Sequence, residues 1–93
     1  MTIGLLEVDI FIPESHSLKE KRMVLLSLKE KIRNHFNVSI IESANHDKWQ
    51  RSSLVISNLG LNKSAVNSIL SRVVNFLERN PRIQVIDYQL QEI

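Results

Sequence analysis

From Ile3 to Ile12 the chain alternates: Leu6, Val8, Ile10 and Ile12 fall on one side, and Leu5, Glu7, Asp9 and Phe11 on the other. A two-residue period of this kind predicts a strand with one buried face. Pro13 closes it, since proline has no N–H to give to a ladder. The period then changes. Ser17 followed by Glu20 predicts a capping box, in which the hydroxyl accepts from a free first-turn N–H and the carboxylate reaches back to the cap's own N–H. The helix opened there is expected to run to about Asn34, with Leu18, Leu25, Leu28, Ile32 and Phe36 on one stripe. Asn37–Ser43 and Arg51–Asn58 are β-rich and flank the polar loop Ala44–Gln50, which reads as a hairpin. Leu59–Asn62 is a turn capped by Asn62 or a neighbour. The arc Ala65, Val66, Ile69, Leu70, Val73, Phe76 and Leu77 then predicts a second helix, ended by Asn80-Pro81. Arg82–Gln91, carrying Ile83, Val85, Ile86, Tyr88 and Leu90, is expected to be a last strand.

The order β-α-β-β-α-β is the split β-α-β, or ferredoxin-like, pattern. It implies an α+β fold in which two helices cover one face of a four-stranded antiparallel sheet. Its topology brings three connections to one end of the sheet: Pro13–Ser17, Ala44–Gln50 and Asn80–Arg82. Residues far apart in sequence become neighbours there.

Ninety-three residues suit one domain, and 43% hydrophobic with 24% charged residues is ordinary for a soluble fold. The absence of cysteine excludes disulfides, thiolate zinc sites and cysteine nucleophiles. Met1-Thr2-Ile3-Gly4 does not read as a signal peptide, and no apolar run approaches a membrane span, so a cytoplasmic protein without membrane association is expected. A net charge of +2 does not identify a nucleic-acid binder; the placement of the basic residues matters more.

The segments His16-Ser17-Leu18-Lys19-Glu20-Lys21-Arg22 and Trp49-Gln50-Arg51, with Ile3-Gly4-Leu5-Leu6-Glu7-Val8 before them and Val85-Ile86-Asp87-Tyr88 after, closely resemble the YlxP-like family of small bacterial proteins. The resemblance covers nearly the whole chain. It implies a ferredoxin-like fold and a cytoplasmic bacterial protein, in a family whose members lie near genes of translation and ribosome maturation. The family's biochemical function is unassigned, so the resemblance carries over no catalytic residues.

Candidate chemistry gathers at the shared end. His16, Lys19, Lys21 and Arg22 surround the positive end of the first helix, and the topology adds Lys48, Arg51 and Arg82. Cations with free helix N–H groups suit phosphate or an RNA backbone, each contact giving charge without base specificity. The competing reading is a solvated face whose Ser17 and Glu20 only cap. Lys19, Arg22, Lys29 and Arg33 extend a basic flank along the helix, interrupted by Leu26. The helical angle of Lys21 falls within the apolar arc, and its stem is expected to snorkel outward so that the ammonium stays at the site. Trp49, the only tryptophan, lies between Lys48 and Arg51. It fits base stacking, or packing over the end of the core or a subunit contact, with packing favoured. Asp47 and Arg51 are expected to tie the loop together.

A third arrangement, His16, His46 and Asp47, has the donor types of an open zinc or iron site, though its spacing matches no metal motif. His35 suits the negative end of the first helix better than a metal. Ser15 and Ser17 beside His16 lack a G-x-S-x-G elbow, and two glycines cannot make a Gly-rich nucleotide loop. On the open sheet face, Glu7 and Asp9 repel phosphate where RNA-recognition domains of this topology stack bases. Leu5 and Phe11 suit that face to pairing with a second copy of the chain. The sequence therefore favours a noncatalytic cytoplasmic protein, free of cofactor or metal, that binds RNA or a ribosomal particle. The alternatives are a homodimeric interaction module and a metal-dependent enzyme. No DNA specificity is evident.

Overall fold

The computed structural model describes residues 1–93. Strand β1 is Thr2–Phe11, helix α1 Leu18–His35, β2 Ser39–Ala44, β3 Arg51–Gly60, helix α2 Lys63–Glu78 and β4 Gln84–Glu92. The expected order stands. The strands form one antiparallel sheet in the order β2-β3-β1-β4, the ferredoxin-like arrangement. Phe11 pairs with Arg51 on one side and Gln84 on the other. The β1–α1, β2–β3 and α2–β4 connections therefore do share one end of the sheet.

Period two decides which strand residues are buried. Leu6, Val8 and Ile10 of β1 and Leu54 and Ile56 of β3 point under the helices, with Ile40 of β2 beside them. Val24, Leu25, Leu28 and Ile32 of α1 and Leu70, Val73, Val74 and Leu77 of α2 close this core from above. Each such side chain, fully removed from water, contributes roughly 1.5–3 kcal/mol. The stripes differ in detail from those expected: Val24 and Val74 join the core, Phe36 packs at its edge, and Ala65 is exposed.

Gly4 is required by a close approach. A Cβ there would lie 2.7 Å from Asn58 Oδ1 and 2.9 Å from Val66 Cβ, so α2 sits directly over the backbone of β1. At the other end, β2 carries a bulge between Glu42 and Ala44, and Asn45 follows in the left-handed region at φ 64°. Asn is the non-glycine residue best suited to that conformation, and with the bulge it turns the chain sharply into the β2–β3 loop.

Candidate nucleic-acid interface

Ser17 caps α1 as expected, its hydroxyl accepting from Glu20 N at 3.1 Å. The reciprocal bond goes one residue further back, since Glu20 Oε2 accepts from the N–H of His16 rather than from that of the cap. Ser15, buried, donates its hydroxyl to the Ser17 carbonyl at 3.1 Å. Together these bonds fix the path of the chain into the first turn.

Lys21 overturns its expected placement. The residue is 1% exposed, and its ammonium does not reach solvent. It donates to Glu42 Oε2 at 3.0 Å and to the carbonyls of Asn45, His46 and Arg51 at 2.7, 3.3 and 3.2 Å. Three N–H donors serve four acceptors, so at least one bond is shared. The reason lies in the strands: Glu42 falls on the same face of β2 as Ile40, and Ser52 on the same face of β3 as Leu54, both toward α1. A lysine in the apolar arc thus finds a carboxylate and three backbone carbonyls beneath it, and outward snorkelling would give up these charge-assisted bonds. Lys21 therefore belongs to the scaffold and not to a ligand surface.

Glu42 also accepts from the Ser52 hydroxyl at 2.6 Å. Burial alone would raise its carboxyl. The Ser52 bond, the Lys21 ammonium and, last, the charge of His46 outweigh burial and hold the group below its ordinary value of 4.5. Asn45, whose carbonyl Lys21 holds, donates Nδ2–H to Ser53 Oγ at 2.8 Å, and Ser53 in turn donates to Asp9 at 2.6 Å. Gln50 donates to the Pro13 carbonyl at 2.9 Å, and Ile12 N donates to the Gln50 carbonyl at 2.8 Å. The β2–β3 loop is thereby tied to α1, β3 and the β1–α1 connection. Asp47 and Arg51, expected to tie it, form no ion pair, because Lys21–Glu42 is the one ion pair of the chain.

On this frame stands an open groove of about 640 Å³ lined by Ser15, His16, Asp47, Lys48, Trp49, Gln50 and Arg51. Trp49 is 56% exposed. The expectation that it packs over the core gives way, since the indole stands largely in solvent at the groove. Lys19 and Arg22 are exposed on the first turns of α1 and do not line this groove. Lys29 is half-buried, and Arg33 reaches the Ile40 carbonyl at 3.4 Å. At ~1.5 Å per residue, Arg33 lies about 20 Å along the helix from Lys19, well away from the loop. Arg82 is also outside the Trp49 groove; it lines the hollow beneath the first turn with Glu14, Ser15 and Glu20, and a second groove between the helices.

The metal reading fails on geometry. His16 and Asp47 face the groove, but His46 Nε2 turns to the Glu42 carbonyl at 3.1 Å, and the three do not converge. His35 bonds through Nδ1 to the Lys31 carbonyl at 2.7 Å, the helix-end role expected of it. Sequence reasoning missed Glu42, Ser52 and Asn45, although period two along β2 and β3 places the first two on the helix side. It also missed Ser15, whose burial no pattern signals.

The strand order and one-sided helices define a ferredoxin-like α+β domain whose loop end bears a basic groove with an exposed indole. The chain belongs to the family described as Protein of unknown function (DUF503), whose family model matches residues 3–90. It is 38% identical over 82 residues to the uncharacterized protein YlxP of Bacillus subtilis (strain 168), a match spanning 88% of this chain and 89% of that one. The resemblance to the YlxP-like family is thus shown. No helix is long and apolar enough to cross a membrane.

Proposed function

We propose that this chain is a noncatalytic binding protein for single-stranded RNA, free or displayed on a ribosomal particle, and that it holds the strand at the loop end. The observation that carries the reading is Trp49: a half-exposed indole between Lys48 and Arg51, in one groove with His16. A large aromatic left in water beside cations suits an unpaired base on the indole and phosphates on the flanking charges. Lys19 and Arg22 extend the cationic surface along α1. Lys21 acts from below as a positioning residue, since the carbonyls of Asn45, His46 and Arg51 that it grips bracket the Trp49 loop. Asp47 in the same groove disfavours continuous phosphate contact there, consistent with a base seated on the indole and the backbone passing over α1.

Retention of RNA across a salt series tests this. The parent is expected to lose affinity steeply with salt, and Lys19→Glu combined with Arg22→Glu is expected to flatten the slope by about 1.4, at ~0.7 per lost phosphate contact on a single strand. Unchanged binding by that double variant eliminates the surface.

A second reading, a homodimer through the sheet, rests on Ile3, Ile41 and Leu59, which are 44%, 59% and 64% exposed on the outer face. Light scattering that shows monomer alone at high concentration removes it.

A further inference from the structure

The groove between α1 and α2 lies outside that interface. Lys31, His35 and Phe36 come from α1 and its C-cap, Arg72 and Phe76 from α2, and Arg79 and Arg82 from the end of α2 and the turn after it. No acid lines it. Glu30 and Glu78 are one residue from Lys31 and Arg79, and so turned about 100° round their helices from them. The one ion pair of the chain is Lys21–Glu42, so Lys31, Arg72, Arg79 and Arg82 converge on a concave surface without a carboxylate partner. The negative ends of the helices favour cations at His35 and Arg79. They do not account for Arg72, well inside α2, or for Arg82, beyond it.

The walls are built rather than loose. Phe36 and Phe76 meet edge to face at 5.8 Å and 85°, His35 lies 5.1 Å from Phe76, and the Arg72 guanidinium is held 5.7 Å from the Phe36 ring. The Lys31 carbonyl can only accept, so His35 Nδ1 carries the proton, and Nε2 is left without a partner in the chain. The volume, about 630 Å³, is that of a small-molecule site and exceeds what one phosphate fills. Arginine forks match phosphoryl oxygens, and rings and side-chain stems supply apolar surface beside them.

We propose that this groove is a separate binding site for a nucleotide unit, with phosphoryl oxygens on Arg72, Arg79, Arg82 and Lys31 and the base against His35 and Phe76. The unit is either a free nucleotide or one residue of an RNA strand. The full chain, labelled with ¹⁵N, is titrated with ADP, inorganic pyrophosphate and a hexa-adenylate RNA. Saturable shifts are expected in the amides from Lys31 to Phe36 and from Arg72 to Arg82. Arg72→Glu with Arg79→Glu, both at exposed positions, is expected to weaken binding at least tenfold, roughly the loss of one charge-assisted contact, with the remaining resonances unmoved. Saturation by ADP identifies a free nucleotide, and shifts produced only by the hexamer identify a strand. Absence of groove shifts with every probe overturns the site, as does full retention by the double variant. Equal affinity for pyrophosphate and ADP overturns the nucleotide assignment. Emission from Trp49 reports the loop end independently, so either site can fail alone.

Discussion

The Trp49 groove and the groove between the helices are both basic, yet opposite kinds of structure hold them. The first rests on a buried charge: Lys21, Glu42, Ser52 and the carbonyls of Asn45, His46 and Arg51 fix the β2–β3 loop. The second rests on apolar contact between Phe36 and Phe76 at the seam of two helices. Polar anchoring gives the loop one geometry but makes it sensitive to protonation and to the loss of a single partner. The Phe36–Phe76 contact itself carries no titratable group and degrades gradually with the volume removed.

Lys21→Met should separate the two most sharply. It removes the ammonium from Glu42 and three carbonyls while the Glu42 carboxylate keeps only its Ser52 bond, and the expected loss is about 3–5 kcal/mol in urea unfolding, with the Trp49 loop loosened and the resonances of the helix groove kept. Adding Glu42→Leu is expected to recover much of that loss, because a broken buried pair costs more than an absent one. A Lys21→Met protein as stable as the parent would show that the loop does not depend on the ion pair.

Phe76→Ala works from the other side. Its ring is half-buried, so a loss of about 2 kcal/mol is expected, somewhat below the ~3–5 typical of a fully buried phenylalanine. The Trp49 emission maximum should stay where it is, and a shift would mean that the two regions are coupled. Ser17→Ala removes one cap bond and should cost about 1 kcal/mol, without affecting the helix groove.

Acid acts on the same ion pair through Glu42. Glu42 has a depressed pKa in the folded chain, so its contribution to stability is complete above 4.5 and is lost as pH falls below that value. Unfolding midpoints followed downward from neutral pH should fall in that range, and Glu42→Gln should flatten this part of the profile. Equal acid sensitivity in Glu42→Gln would assign the loss to other carboxylates.

Periodicity made most of the fold legible, because one buried face per element leaves a two- or three-to-four-residue signature: strand β1, both helices and the strand order all follow from it. The topology that follows from it also gathers His16, Lys48 and Arg51 at the loop end, with Lys19 and Arg22 exposed on α1. The partners of Lys21 lie outside its own helix. Its angle pointed inward, and only the matching angles of Glu42 on β2 and Ser52 on β3 show what awaits it. Trp49 stands exposed although large aromatics usually bury, and no periodic pattern in its loop signals this. Lys31, Arg72 and Arg79 could not be paired from sequence at all, since their meeting depends on how far α1 slides along α2. That offset leaves no periodic trace.

The proposed function requires a base on the Trp49 indole, and the single tryptophan of the chain reports it directly. Emission should be followed while single-stranded RNA is added at two salt concentrations. Saturable quenching is expected at low salt, with a midpoint that moves to higher RNA concentration as salt rises. Emission that stays constant while RNA is bound, or quenching unaffected by salt, would contradict the account.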